Sequence, residues 1–514
     1  MPPKITALEL LALDSVGIQK KLKAGSLTSV ELVNECLRHI DKHDQRGARL
    51  NAMISIVPKH ILSERSQQLD RERAAGHVRG PFHGIPILVK DAISTGSSLD
   101  QATTLGSLAL KSSTPAKEAS IIAKLEQLGV IVMGKTNLNE FCNFKGDANS
   151  NGWSAVGGQT QSAYIARRQN ETGMGQSDPC GSSTGSAVGV SAGYAPLALG
   201  TETCGSLVMP GARAGLYAFK PALGAVDMDG VYQTSMSLDV VGGLAKSVAD
   251  LALLTEAALT DAERRLLPHD GYRSYLNKTF DALRIGFVDP KVWSFHPDVV
   301  HLDDRILREM NEMYSDAVKR VRKHAGDDHV QSPVHLPPAT DLWYEGEDPV
   351  SIIIGYEGKK EMDDWLKTAA VPDITTMEDI INFNIQHEQD ELPENHPDQN
   401  QLLRASRSPP SRELYETVRK HIRSVSRTNG IDKLFREKNL NLLGFPMDSR
   451  MTYVSASSGY PIATVPLGVL KADGRPYGLG IMAQAGREDL MFQFMSAFEA
   501  YFPPRVLPPR LQDS

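Results

Sequence analysis

A helix followed by a short buried strand recurs along this chain, and that recurrence restricts the fold more than any other feature. From Ala116 onward, Ile121, Ile122, Leu125 and Leu128 form one apolar face, Gly129 suits a left-handed cap, and Val130–Met133 has a buried-strand pattern. The order repeats at Val188–Gly193 into Leu197–Gly200, and at Val248–Leu259 into Leu283–Val288. Nearer the start, Thr28 with Glu31 forms a capping box ahead of Leu32, Val33, Cys36, Leu37 and Ile40. Such alternation predicts an α/β fold, a sheet with covering helices. At 514 residues and 41% apolar, the chain can bury the core this fold needs.

After about residue 290 the chain turns helical, charged and irregular, with Ile306, Met310, Met313 and Val318 in one amphipathic stretch. The polar, Pro-containing segment from Glu391 to Pro410 reads as a loop excursion. Tyr460–Val469 and Tyr477–Ile481 read as strands returning to the sheet, Glu488–Tyr501 as a last helix, and the tail from Pro503 as a surface segment. The expected organisation is one domain over 1–514 with a variable, mainly helical insertion at about 290–445.

Composition narrows the function classes. A formal net charge of −7 leaves no cationic excess to neutralise phosphates, so no nucleic-acid partner is expected. The basic run Lys319–Lys323 lies in a helical pattern and reads as a solvated face. Cys36, Cys142, Cys180 and Cys204 form no CxxC pair or disulfide framework, which points to a reducing compartment. The opening MPPKITALELLALDS has no basic region leading into an apolar run, and no stretch has the length of a membrane span. A cytoplasmic location is therefore expected. The 14 histidines show no ligand spacing and no HExxH occurs, so neither metal nor cofactor is expected.

Gly, Ser and Thr concentrate between 81 and 245, in GIPILVKD (Gly84–Asp91), DPCGSSTGSAVG (Asp178–Gly189) and LGTETCGSLVMPGARAG (Leu199–Gly215). Turns without Cβ atoms let backbone N–H groups approach a ligand, and serines within them are candidate nucleophiles beside a candidate oxyanion hole. Lys90 ends an apolar strand pattern. In solvent it would pair with Asp91; buried, it would lose charge and become a base. Gly181–Gly185 also matches the GxSxG elbow with Ser183 as nucleophile, but the polar Asn170–Cys180 stretch supplies no preceding strand. No GxxxxGK[ST] phosphate loop occurs. Taken one at a time, Ser182 and Ser183 read as a cap for the helix beginning near Ser186, and Ser206 as a turn serine.

Together, the three segments resemble the signature of the amidase signature family: a GIPxxxKD lysine, a Gly-rich double serine, then a GTxTxGS serine. Ser182 and Ser206 stand 24 positions apart, the family's separation. GKTNLNEF (Gly134–Phe141), Phe219-Lys220-Pro221 and GRPYGLGIMA (Gly474–Ala483) match as well. The strings GWSAVGGQTQSAY (Gly152–Tyr164), PCGSSTGSAV and GTETCGSLVMP are more similar to peptide amidases than to the amidase-type subunits of tRNA-dependent amidotransferases. The latter carry a double Gly before the serine and an Arg two positions after it, where this chain has Cys204-Gly205 and Val208.

The resemblance implies a large mixed central sheet covered by helices on both faces. It implies Lys90 as base, Ser182 as the cis-peptide serine that relays the proton, Ser206 as nucleophile and Ser183 as support for Lys90. The N–H groups of Thr203, Cys204, Gly205 and Ser206 would form the oxyanion hole. Thr184, Cys204 and Val208 depart from the family pattern; none removes a catalytic atom, and Cys204 reads as a bystander thiol. The implied activity is hydrolysis of a carboxylic or peptide amide through an acyl-enzyme, with a small-molecule or peptide amide as partner. An acyltransferase or synthase using the same intermediate, and a non-catalytic subunit of amidotransferase type, are the alternatives. Oligomeric state, monomer or homodimer, stays open, and the pocket walls are expected from the 290–450 segment.

Overall fold

The computed structural model describes residues 4–115, 117–148, 150–167, 174–295 and 303–512. Its first strands are β1 (Met53–Ile56), β2 (Pro86–Lys90) and β3 (Ile131–Thr136), followed by a small hairpin of β4 (Trp153–Ser154) and β5 (Gly158–Gln159). Then come β6 (Leu197–Glu202), β7 (Tyr217–Lys220), β8 (Val240–Ala245), β9 (Ile285–Val288) and β10 (Val330–Val334). The last three are β11 (Leu442–Pro446), β12 (Ile462–Val469) and β13 (Pro476–Met482). All but the hairpin join an 11-stranded sheet in the order β1-β3-β2-β6-β8-β7-β12-β13-β11-β9-β10. The sheet is mixed: β3, β2 and β6 run parallel, as do β11, β9 and β10, with antiparallel pairs between these blocks.

Neighbouring residues of β8 show why helices cover both faces. A Cβ on Gly243 would meet Leu251 and Leu254 of the Val248–Ala258 helix. The next side chain, Leu244, lies against Gly211 of the Val208–Arg213 helix. Successive strand residues point to opposite faces, so these helices sit on opposite sides of the sheet. The predicted helix at 28–40 forms as Ser29–His43, with the Thr28/Glu31 capping box in place. The helix read from Ala116 begins at Ser120, and Ala116 itself lies outside the described residues.

Between β9 and β11 the chain builds the helices Asp304–Ala325, Pro349–Ala369, Met377–Gln386, Asn400–Arg407 and Arg412–Arg423. The segment read as a loop from Glu391 to Pro410 therefore contains a helix. Leu402 and Ala405 explain it, since both are buried in one cluster with Trp365, Met377 and Ile380. With Leu403 packed beside them they give this eight-residue helix an apolar face, but so short a run is masked by the polar, Pro-containing sequence around it. Among the described residues no helix is long and apolar enough to cross a membrane.

Candidate active site

β2 ends at Lys90, and its parallel pairing with β6 sets Val89 opposite Leu199 and brings Thr201 alongside the lysine. Lys90 is fully buried, with Nζ 2.7 Å from Ser182 Oγ, 2.7 Å from Thr201 Oγ1 and 3.4 Å from the Thr201 carbonyl. Burial lowers its pKa from the ordinary lysine value, and the acidic groups near it, Cys142, Asp239 and Glu202, only partly oppose that fall. The solvent pairing with Asp91 does not occur. Asp91 is buried as well, accepts the Thr104 N–H at 3.0 Å, and faces Lys135 at 3.7 Å.

Ser182 and Ser183 lie in the turn that enters the Thr184–Ser191 helix, which packs on β2 and β6. The Gly181–Ser182 peptide is cis. Asn139 of the GKTNLNEF stretch donates its N–H to the Ser182 carbonyl at 3.2 Å, while Asn137 accepts the Gly185 N–H at 3.0 Å through its carbonyl. Upstream, Arg213 holds the approach to the turn, donating to the carbonyls of Gly175 at 2.9 Å and Asp178 at 2.7 Å. Ser183 occupies the cap position of the helix, yet its hydroxyl caps nothing. It donates to the Thr201 carbonyl at 2.9 Å and accepts the Thr201 N–H at 3.2 Å, so it reaches Lys90 only through Thr201. Gly200 permits that approach, because a Cβ there would lie 2.7 Å from Ser183 Oγ.

Ser206 follows β6 in the tight turn that leads into the Val208–Arg213 helix. Glu202 shapes the turn: its carboxylate accepts the N–H groups of Leu207 at 2.8 Å and Val208 at 2.9 Å, and it draws on the Gly205 N–H as well. Gly205 has φ +80°, where a Cβ would come within 2.6 Å of Met209 Sδ. The Ser206 carbonyl accepts the Ser183 N–H at 2.8 Å, which stitches the two serine turns together. Among the described residues no hydrogen bond joins the Ser182 and Ser206 hydroxyls, and the N–H groups of Thr203, Cys204 and Ser206 donate to no protein acceptor. Two strand ends and two turns thus put Lys90, Ser182 and Ser206 on one side of the sheet, at the carboxyl ends of parallel strands.

A cleft of about 390 Å³ opens over Ser206. Thr203, Cys204, Met209, Asn139 and Cys142 line its inner side, and Phe295, Asp348, Val350, Ile354 and Gln401 come from the later segment. The expectation that residues 290–450 wall the pocket therefore holds for one side only. The Cys204 side chain lines the cleft, with Sγ 3.8 Å from Thr452 Oγ1.

Several site residues escaped the sequence reading. Thr201 lies inside GTETCGS and could have been suspected as a strand-end hydroxyl beside a buried lysine. Cys142 gave no signal. Phe141, Cys142 and Asn143 take positive φ of 50°, 57° and 77°, a left-handed turn of three non-glycine residues that carries Cys142 Sγ to 3.8 Å from Thr201 Oγ1. Lys145 steadies that turn from below. Fully buried, it pairs with Glu140 at 2.7 Å and with Glu391 at 2.6 Å. Asp348 and Tyr453 reach the cleft from distant helices and could not be inferred from spacing.

Comparison with known proteins agrees with this geometry. The Amidase family pattern matches residues 31–323. The structure of native peptide amidase from Stenotrophomonas maltophilia superposes with a TM-score of 0.84 at 32% identity, covering 96% of this chain and 98% of that one. A putative amidase of Schizosaccharomyces pombe is 29% identical, over 94% of this chain and 84% of its own. A probable amidase of Arabidopsis thaliana is 27% identical, over 92% of this chain and 86% of its own. The mixed sheet with flanking helices is thus shared with the peptide amidase along nearly the whole chain.

Proposed function

The chain belongs to the amidase signature family and is a hydrolase of amide carbon–nitrogen bonds, and on that premise we propose that Ser206, Ser182 and Lys90 hydrolyse an amide through an acyl-enzyme. The observation that carries this reading is the 2.7 Å separation of Lys90 Nζ and Ser182 Oγ, with no carboxylate paired to Lys90 among the described residues. A buried lysine without an acidic partner favours its neutral form, and a neutral amine has a lone pair to accept a proton.

A hydroxyl is too weak an acid to ionise alone, so Ser206 loses its proton as it attacks. Ser182 takes that proton on Oγ while giving its own to Lys90 Nζ. The Ser206 Oγ–carbon bond forms, and the carbonyl π pair moves onto oxygen. The N–H groups of Thr203, Cys204, Gly205 and Ser206 receive that oxyanion, Gly205 sharing its hydrogen with Glu202. Removing such a donor costs about 10²–10³ in rate. Collapse breaks the carbon–nitrogen bond, and the proton returns from Lys90 through Ser182 to the leaving nitrogen. Water then repeats the sequence on the ester, releasing a carboxylic acid and freeing Ser206. Ser183 acts in support by orienting Thr201, whose hydroxyl is the second neighbour of Lys90 Nζ.

The domain is read as a single unit over 1–514, in which the 290–445 insertion frames the cleft. Four free cysteines suit the reducing cytoplasm. Labelling with a fluorophosphonate tests the nucleophile: modification at Ser206, with free acid and amine as products, supports the reading. Label at Ser183 or at no serine would refute it, and exclusive transfer of the acyl group to an added amine would make the protein a transferase.

A further inference from the structure

The cleft carries one charged side chain among the described residues that line it, and its sign points to a substrate class. Resting on the amide-hydrolase reading above, we infer that Asp348, which lines the same cleft as Ser206, selects amides carrying a cationic group, an ammonium or a guanidinium, near the scissile bond. The other lining groups are hydroxyls, amides, thiols, thioethers and apolar or aromatic side chains. Lys90 is not among the groups that line the cleft, and its burial lowers its pKa.

Asp348 precedes the Pro349–Ala369 helix, and its carboxylate accepts the Val350 N–H at 3.0 Å and the Ser351 hydroxyl at 2.9 Å. Burial pushes the Asp348 carboxyl up from its ordinary value, while these two neutral donors favour its charged form and orient it. Among the described residues its hydrogen-bond donors are these two groups, and no lysine, arginine or histidine is paired with it. The nearest cation on the facing helix, Arg450, lies over the Trp343 ring, 5.8 Å from its centroid. Asp348 lines the cleft together with Cys204 and Tyr453, and its negative charge contributes to holding both in their protonated forms, after their burial. Cys204 stands two positions before Ser206, so a carboxylate that acts on it also acts on whatever occupies the cleft over the nucleophile. An uncompensated charge on a partly enclosed wall attracts the opposite charge and repels its own more strongly than it would in water.

A capping aspartate is commonplace by itself, and its capping role makes the test clean. Asn caps a helix about as well as Asp, so Asp348→Asn removes the charge and keeps the fold. The substrates are amides of matched length ending in an ammonium, a methyl or a carboxylate, with that end group placed once on the acyl side and once on the amine side. For the intact protein, kcat/KM is expected to fall by about tenfold from ammonium to methyl, which is roughly 1.4 kcal/mol, and to fall again for the carboxylate. In Asp348→Asn the ammonium-to-methyl ratio should collapse to within about twofold. The two series reveal which half of the substrate faces Asp348. An unchanged ratio in Asp348→Asn, or a methyl substrate preferred by the intact protein, overturns the inference while leaving the amidase reading intact. Failure to turn over all substrates, with Ser206 refusing the fluorophosphonate, overturns both.

Discussion

Two buried lysines divide this molecule into contrasting neighbourhoods. Lys90 ends a central strand and touches only hydroxyl and carbonyl oxygens. Lys145, just past the left-handed turn that borders the cleft, lies between the carboxylates of Glu140 and Glu391. Both are completely buried, so burial alone does not distinguish a base from a brace. The partners do. Around Lys90 no carboxylate is in contact, and Cys142, Asp239 and Glu202 return only part of what burial costs its ammonium, so its pKa falls. Around Lys145 two acids stand within contact: burial and the neighbouring Glu391 push the Glu140 carboxyl well up, whereas Lys145, Glu140 and the Leu108 N–H outweigh the cost of burying Glu391 and hold its pKa down. The lesson is that an ammonium's company decides whether it works as chemistry or as architecture.

The sharpest break would come from exchanging each lysine for an uncharged chain of similar length. Lys90→Met should lower turnover by at least ~10³, as for members of a catalytic unit, with the melting temperature unchanged or raised. The rise follows from sign: between its lowered pKa and 10.5 the folded lysine has shed a proton that the unfolded chain holds, and below that window it carries a charge that burial disfavours, so burying Lys90 opposes folding at neutral pH. Lys145→Met should do the reverse, keeping most turnover at low temperature but losing about 3–5 kcal/mol in a urea titration, because the buried acids lose their cation. If Lys145→Met were silent in the titration, the contrast would fail.

Transplanting one environment onto the other gives an intermediate effect. The rate should climb as pH rises through the lowered pKa of Lys90 and level off above it, since only the neutral amine accepts a proton. Cys142→Asp adds a carboxylate beside Thr201 and Lys90, in a left-handed conformation that Asp tolerates. The acid limb of the kcat/KM profile should then move upward by about one pH unit, measured as initial rates across a buffer series. A limb that stayed in place would mean that another group titrates. The mildest change, Thr201→Val, removes one hydroxyl neighbour of Lys90 and should cost about tenfold in kcat, with about 1 kcal/mol in stability.

Reading the sequence reached one of these neighbourhoods far better than the other. Lys90, Ser182 and Ser206 each sit in a short string whose glycines betray tight turns, and strand endings at Lys90 and near Gly200 followed from apolar runs. The helix-then-strand units at 120–136 and 184–202 are likewise local patterns. What could not be read depends on partners far away in the chain. Glu391 is one polar residue in a polar run until the fold carries it to Lys145. Asp348 is an ordinary capping residue until its helix crosses the cleft. The strand order, with β1 outside β3 and β12 beside β7, places segments side by side that no spacing connects. That Cys204 lines the cleft was out of reach for a related reason, since cysteine's usual burial says nothing about its neighbour Thr452, 248 positions away.

The reach of Glu391 across 246 positions to Lys145 bears on any attempt to re-engineer the cleft. The helices after β10 look like a detachable module, suited to being swapped with a relative's to alter selectivity. A graft running through position 391 would leave the buried Lys145 without one of its two acids unless the donor brings an acid to the same spot. Splicing sites are better chosen so that the native Glu391 remains with the recipient, and libraries that randomise the wall should hold it fixed.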